Sequence, residues 1–224
     1  DQQAATITSA ELKKQTTKIK KLLAERSYAA IDSGIELAKG LGAAVFKELL
    51  KGCSTKKGQL VRNKIFTGTA PAQPYLNYAL ISMIAYAPED CTAVVTLRQS
   101  TTRLTMVLPS TGPLAEFKNL KSLDLTKSDD LENLDGLTNC AKLTSLILYG
   151  CKSLQNINGL TNCTKITSLD LWGCESLQNV DGLVNLSKLT SLDLNGCYQL
   201  SVSSDDDELT TRKQVAEYQR KIGV

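Results

Sequence analysis

The sequence predicts an α/β fold: a curved solenoid of parallel strands, with a helical domain or cap before it and a capping helix after it. Three observations predict this. A 23-residue unit recurs between residues 120 and 200. Each unit opens on leucines two residues apart, the spacing of one side of a strand. Before residue 90, in contrast, apolar side chains recur three and four residues apart, the spacing of helices. Four regions follow: residues 1–90 helical, 91–119 a junction holding a degenerate first unit, 120–200 the repeats, and 201–224 the closing helix.

The units start at Leu120, Leu143, Ile166 and Leu189. They read LKSLDLTKSDDLENLDGLTNCAK, LTSLILYGCKSLQNINGLTNCTK, ITSLDLWGCESLQNVDGLVNLSK and the half unit LTSLDLNGCYQL. Leu146 and Leu148 share one side of a strand. Leu154, Ile157, Leu160 and Cys163 are three apart, which suits a 3₁₀ or irregular helical turn folding back over that strand. One unit cannot bury its apolar side alone, whereas stacked units align their strands in a parallel sheet over a continuous core. Gly136, Gly159 and Gly182 recur just before the leucine of the return segment, which predicts a backbone conformation that a Cβ would strain.

The pattern LxxLxLxxCxxLxxIxGLxxCxx resembles a leucine-rich repeat of the short bacterial kind, similar to internalin-like units of about 22–23 residues. It departs from many of these at the ninth position, where they carry Asn and this chain has Ser128, Cys151, Cys174 and Cys197. The resemblance covers roughly residues 115–200 and leaves residues 1–90 without a recognised family. It implies a solenoid that binds another protein on its concave side.

Both ends of a solenoid need covering. Leu97, Leu108, Leu114 and Phe117 lie 23 residues before Leu120, Leu131, Leu137 and Cys140, so residues 92–119 read as a degenerate unit broken by Pro109, Gly112 and Pro113. Residues 92–97 and 103–108, rich in Thr and Val, read as short strands or a hairpin. At the other end, residues 207–221 read as a capping helix, with the acidic run 205–207 at its N-terminus and Leu209, Val215, Tyr218 and Ile222 along one side. That run lacks the spacing of a calcium loop.

The helical part reads as four helices over residues 11–26, 28–39, 43–51 and 74–87, with Ser9 as first N-cap and Gly52 as a C′ residue. The fourth, carrying Tyr75, Leu76, Ala79, Leu80, Met83 and Ile84, is the most apolar and is expected at the centre. Residues 53–73 read as a loop.

Composition narrows the chemistry. The 224 residues include no histidine, which removes histidine-based triads, general bases and metal ligands. The seven cysteines form no CxxC, and five sit at repeat-related positions. A column of Cys151, Cys174 and Cys197 reads as small thiols packed in the core with weak hydrogen bonds to the backbone. A second column holds Cys140, Cys163 and then Leu186, and a place that accepts Cys or Leu is apolar packing. No cofactor or metal is expected. Free thiols point to a reducing, cytoplasmic setting. The chain starts at Asp1 rather than Met, which leaves a mature secreted or periplasmic form open, and no run is long and apolar enough to span a bilayer. The sequons at Asn162 and Asn185 are products of the repeat.

Charge is asymmetric. Residues 1–110 hold 15 Lys/Arg against 8 Asp/Glu, and residues 111–224 hold 11 against 15. Lys13, Lys14, Lys18, Lys20 and Lys21, then Lys56, Lys57, Arg62 and Lys64, make the helical part basic, but no aromatic stacking pattern or phosphate loop accompanies them. A solvated helix side explains them more simply than nucleic acid or acidic lipid.

Function is expected where the repeats vary on a constant frame. Outward strand positions two and three are nearly invariant. Position five reads Asp124, Ile147, Asp170 and Asp193, and position seven reads Thr126, Tyr149, Trp172 and Asn195. Tyr149 and Trp172 should lie about 4.8 Å apart on adjacent strands, beside Ile147 and framed by the three aspartates and Asn195. Such a patch suits a protein partner with an apolar and basic epitope. The expectation is a non-enzymatic protein-binding module, of unassigned oligomeric state. The alternative is an enzyme, or a nucleic-acid- or lipid-contacting function, in the basic helical region. For catalysis Cys53 and Cys91 are the candidate nucleophiles; neither has a histidine partner, and a helix C-terminus raises a thiol pKa. A structural fragment of a larger protein is a third reading.

Overall fold

Thr8, not Ser9, starts the first helix: its hydroxyl accepts the Glu11 N–H at 3.2 Å, and α1 spans Ser9–Ala24. The computed structural model describes residues 7–68, 72–200, 208–209 and 211–223. The chain divides into two compact units, Asp1–Ser54 with Val61–Leu97, and Thr55–Leu60 with Arg98–Val224.

In the first unit, α2 (Tyr28–Leu41) ends at Gly42, whose φ of 80° only glycine adopts cheaply, and α3 (Ala43–Leu49) follows directly. Ile19, Leu23, Ile31, Ile35, Val45, Phe46 and Leu49 are all buried. Residues 53–73, of which Thr55–Leu60 belong to the second unit, are more than a loop. They contain β1 (Ser54–Lys56), β2 (Gln59–Val61) and a 3₁₀ turn at Lys64–Phe66 that buries Phe66 completely. Lys57 and Gly58, both at positive φ, form the two-residue link between β1 and β2. Helix α4 (Gln73–Ala85) is buried from Leu76 to Ala85 except at half-buried Tyr78, and it packs on α1, α2 and the 3₁₀ turn as its apolar composition predicts.

Residues 92–97 are helical, not extended. They belong to α5 (Thr92–Ser100). Cys91, Val94, Leu97, Arg98 and Thr101 are buried at helical spacing, and that periodicity outweighs the β-propensity of Thr and Val.

The second unit is built on one sheet of eight strands in chain order, β1 and β2 followed by β3 (Arg103–Thr105), β4 (Ser122–Asp124), β5 (Ser145–Ile147), β6 (Ser168–Asp170), β7 (Ser191–Asp193) and β8 (Glu208–Leu209). From β2 to β7 every pair is parallel; β8 joins β7 antiparallel. Leu123, Leu146, Leu169 and Leu192 are in register, each 23 residues after the last. The degenerate unit is shorter on its strand side: Leu104 pairs with Leu123, 19 residues on, so Leu97 has no strand place.

Return segments run through 3₁₀ turns at Gly112–Glu116, Asp135–Leu137, Asn158–Leu160 and Asp181–Asn185. Gly136, Gly159 and Gly182 are required here, but not for left-handed backbone: only φ values outside that region occur at them. A Cβ at each would fall on the carbonyl of Thr111, Leu134 or Ile157 in the preceding coil. Close stacking of coils, not conformation, fixes these glycines. The left-handed residues come instead at the eighth position: Lys127 at φ 60°, Gly150 and Gly173 at 69°, and Gly196 at 73°.

The closing helix α6 spans Arg212–Lys221 and starts later than the sequence predicts. Thr211 and Gln214 form a capping box. Leu209 belongs to β8 rather than to the helix, and the predicted acidic start at 205–207 lies outside the described residues. Val215 and Tyr218 are buried, and Gln219 Nε2 donates to the Leu183 carbonyl at 2.8 Å. Among the described residues, no helix is long and apolar enough to cross a membrane.

Candidate binding surface on the strands

The outward residues of β4 to β7 share one scaffold. At position two, Thr144, Thr167 and Thr190 donate their hydroxyls to the carbonyls of Lys121, Thr144 and Thr167 in the preceding coil, at 2.9–3.1 Å. This ladder accounts for the near-constancy of that position. Position three is a row of half-buried serines.

Positions five and seven carry the variation. The Tyr149 and Trp172 rings are stacked, with centroids 4.6 Å apart and planes 5° from parallel. Tyr149 is half-buried, and Trp172 is 40% exposed. Ile147, half-buried, lies in register between Asp124 and Asp170, and Asp170 pairs with Asp193. The structure thus places Tyr149, Trp172, Ile147, Asp124, Asp170, Asp193 and Asn195 on one side of one sheet.

The aspartates have a second role that the sequence reading missed. Asp170 Oδ1 accepts the Trp172 N–H at 2.9 Å, and Asp193 Oδ1 accepts the Asn195 N–H at 2.9 Å. Asp124 Oδ1 accepts both the N–H and the hydroxyl of Thr126, at 3.0 and 2.7 Å. Each carboxylate bonds its own backbone two residues on and steers the chain off the strand into the left-handed eighth position. Part of the signal was legible: Asp170 and Asp193 at position five are each followed three residues later by a turn glycine, Gly173 and Gly196. Burial lifts the Asp170 carboxyl above the ordinary carboxylate value; the Trp172 N–H opposes this, and Asp193 and Asp124 reinforce it. No ion pair engages Asp124, Asp170 or Asp193 among the described residues.

The cysteine columns are core. Cys151, Cys174 and Cys197 donate to the carbonyls of Leu125, Leu148 and Leu171 in the preceding coil, at 3.2–3.4 Å. Cys140 and Cys163 do the same to Leu114 and Leu137 at 3.6 and 3.4 Å. At the first member of the ninth-position column, Ser128 Oγ instead accepts the Leu108 N–H at 3.0 Å. Desolvation pushes Cys140, Cys151 and Cys197 up to about 12 and Cys163 up to about 11. Cys53 is half-buried and also raised by burial, against a hydrogen bond from the Asn63 backbone. Cys91 is buried, its thiol 3.8 Å from the Ala43 carbonyl. With its thiol raised by burial, Cys53 is not placed as an activated nucleophile.

On α1, Lys13, Lys14, Lys18 and Lys21 line a single shallow surface with Ala10 and Thr17. Lys56 and Lys57 are exposed beside the turn between β1 and β2, in the other unit.

Residues 112–217 match the family model of Zer-1-like leucine-rich repeats. No curated protein matches the sequence. Among solved structures, an internalin C2 from Listeria monocytogenes str. 4b F2365 is similar at 22% identity and a TM-score of 0.43, over 55% of each chain. An internalin (inlF) from the same organism is similar at 16% identity and a TM-score of 0.27, over 84% of this chain and 70% of that one. The chain therefore spans about half the length of the first of these proteins.

Proposed function

Residues 112–217 match a leucine-rich-repeat family, and from that premise we propose that the chain is a non-enzymatic protein-binding module that works through the outward, concave side of its sheet. Leucine-rich repeats commonly bind proteins, and stacked coils present an extended rigid surface that loses little freedom on binding. One observation supports the placement of the site: the Tyr149–Trp172 stack, with Trp172 exposed, on a frame that is mostly threonine, serine and aspartate. Large amphipathic rings are the side chains most enriched at the energetic centre of interfaces. Ile147 extends the apolar centre, while Asp124, Asp170, Asp193 and Asn195 supply an acidic and polar rim. The partner that fits is a protein with an apolar anchor and basic residues beside it.

The test compares the whole chain with a Trp172→Ala/Tyr149→Ala variant. A partner captured by the first is identified, and its affinity for both is measured by calorimetry. The expected result is a Kd at least ~30-fold higher for the variant, with an unchanged circular dichroism spectrum. Equal affinities would move the binding surface elsewhere.

A further inference from the structure

Lysines line the edge where the chain enters its strands. Lys142 and Lys165 hold the last position of successive 23-residue units, just before β5 and β6, and Lys121 stands just before β4. All three are exposed. Each of these strands is flanked on both sides by a described strand, so the row lies among described residues. The last position stacks coil on coil: Lys142 Nζ donates to Oδ1 of Asn119, which holds the same place one coil earlier, at 2.6 Å. Where Lys142 meets a neutral amide, Lys165 meets Lys142. Like charges set side by side across coils destabilise a sheet, and none of the three lysines makes an ion pair among the described residues.

No carboxylate offsets the row. Residues 117–123, 136–146, 159–169 and 182–192 contain no Asp or Glu, and Glu116 is engaged by Arg98 at 3.7 Å. From residue 120 to 200 every carboxylate falls between the fifth and sixteenth positions of its unit, away from this edge. The polar neighbours are turned back into the solenoid: Thr144 and Thr167 donate their hydroxyls to the preceding coil, and Asn162 Nδ2 donates to the Thr138 carbonyl at 3.3 Å. The ammonium groups are what this edge presents to a ligand.

We propose that the edge docks an acidic α-helix of a partner protein, with carboxylates in one row at i, i+4 and i+7 facing Lys121, Lys142 and Lys165. It is a second surface, independent of the aromatic one. Spacing favours a helix. Neighbouring strands lie about 4.8 Å apart, and side chains three or four apart on a helix are about 5–6 Å apart. An extended acidic peptide repeats a side at about 6.7 Å and falls out of step. A nucleic acid strand would find charge here but no aromatic ring on which to stack a base, and an anionic bilayer calls for a basic plane rather than a single file.

The probe is a lactam-stapled, fluorescein-labelled alanine helix of about 18 residues, long enough to cross four coils, with glutamates in one i, i+4, i+7, i+11 row. Its control has the same composition with the glutamates spread around the helix. Anisotropy is measured on the whole chain at low salt. The expected result is saturable binding of the row helix, with half-saturation at least ~10-fold higher for the control and for Lys142→Gln/Lys165→Gln. Both substitutions are on exposed side chains and should leave the circular dichroism spectrum unchanged. Lys13→Gln/Lys14→Gln removes the same charge from α1 and should change nothing. No saturable binding, equal binding of the two helices, or equal losses from the two double variants would each overturn the proposal, the last two because net charge alone would then explain the affinity. Binding of phosphatidylserine vesicles or oligothymidylate that is lost in Lys142→Gln/Lys165→Gln, without binding of the row helix, would overturn it in favour of a membrane or a nucleic acid. Trp172→Ala/Tyr149→Ala should bind the row helix as the parent does, so this edge and the aromatic surface stand or fall separately.

Discussion

Lys127 holds a left-handed backbone, φ 60°, at the place where the next coil has Gly150 at φ 69°, and the Lys127 N–H donates to the Tyr149 carbonyl at 2.8 Å. The three later coils meet this requirement with glycine, and the first meets it with a residue that has a Cβ. For an L side chain the left-handed region costs about 1–2 kcal/mol, partly offset by the smaller backbone entropy it loses compared with glycine. Lys127→Gly should therefore raise stability by about 0.5–1 kcal/mol, and Gly150→Ala should lower it by a similar amount. Urea unfolding of the two variants checks both signs; a destabilised Lys127→Gly would show that the lysine side chain contributes more than its backbone costs.

Gly159 is fixed by a different constraint. Its backbone is not left-handed, yet a Cβ there would fall on the Leu134 carbonyl of the preceding coil. That obstacle is backbone and cannot rotate away, so Gly159→Ala has to push two coils apart. The expected cost is on the order of 3 kcal/mol or more, or failure to fold. Gly112→Ala is the control: the nearest atom to its Cβ is Ser110 Oγ at 3.5 Å, an ordinary contact, and the change should stay within about 0.5 kcal/mol. A mild effect at Gly159 would mean that the coils tolerate separation.

The repeats made the coil, its register and the neighbourhood of Tyr149 and Trp172 legible in advance, because a 23-residue period fixes which side chains meet across coils. What has no period was harder to read. Thr92 and Val94 look like strand residues one at a time, and only the buried series Cys91, Val94, Leu97 and Arg98 shows the helix. Residues 53–73 hid two strands and a buried Phe66 behind lysines and glycines. The recurrent glycines have two causes that a repeat period does not tell apart: close approach at Gly136, Gly159 and Gly182, and conformation at Gly150, Gly173 and Gly196. At the candidate site the positions were readable, but the period of the side chains carries no mark of the bond from each aspartate to its own backbone.

The buried thiols set a limit on stability in alkali. Burial raises Cys140, Cys151 and Cys197 to about 12 and Cys163 to about 11, and raises Cys174 as well. In the unfolded chain a thiol ionises near about 8.5. An acid whose folded value is the higher one favours the folded state at low pH and loses that advantage as the pH climbs from its unfolded toward its folded value. Stability should therefore fall steeply between about pH 9 and 11, by up to about 1.4 kcal/mol per pH unit for each thiol. Urea midpoints at pH 8, 9 and 10 test this, and Cys174→Ala should flatten the slope by about one proton. A flat profile would mean that the thiols stay protonated in the unfolded chain or ionise in place.

Asp170 separates scaffold from recognition, because its Oδ1 and its charge can be removed independently. Asp170→Ala removes the acceptor of the Trp172 backbone N–H, at a cost of about 1 kcal/mol, and loosens the turn that presents the indole. Asp170→Asn keeps that acceptor and deletes the charge, so it should fold within about 0.5 kcal/mol of the parent. The sign with pH follows from the raised carboxyl: ionising Asp170 is harder in the folded chain than in the unfolded one, so the parent loses stability relative to Asp170→Asn as pH rises through the carboxylate range. If the carboxylate serves only the turn, Asp170→Asn binds a basic peptide as the parent does. If it also faces the ligand, Asp170→Asn stays as stable as the parent, or more so, at pH 7 and binds more weakly. Unfolding and peptide titration of the same two variants distinguish these outcomes, and only the second makes the Asp170 carboxylate part of the binding surface.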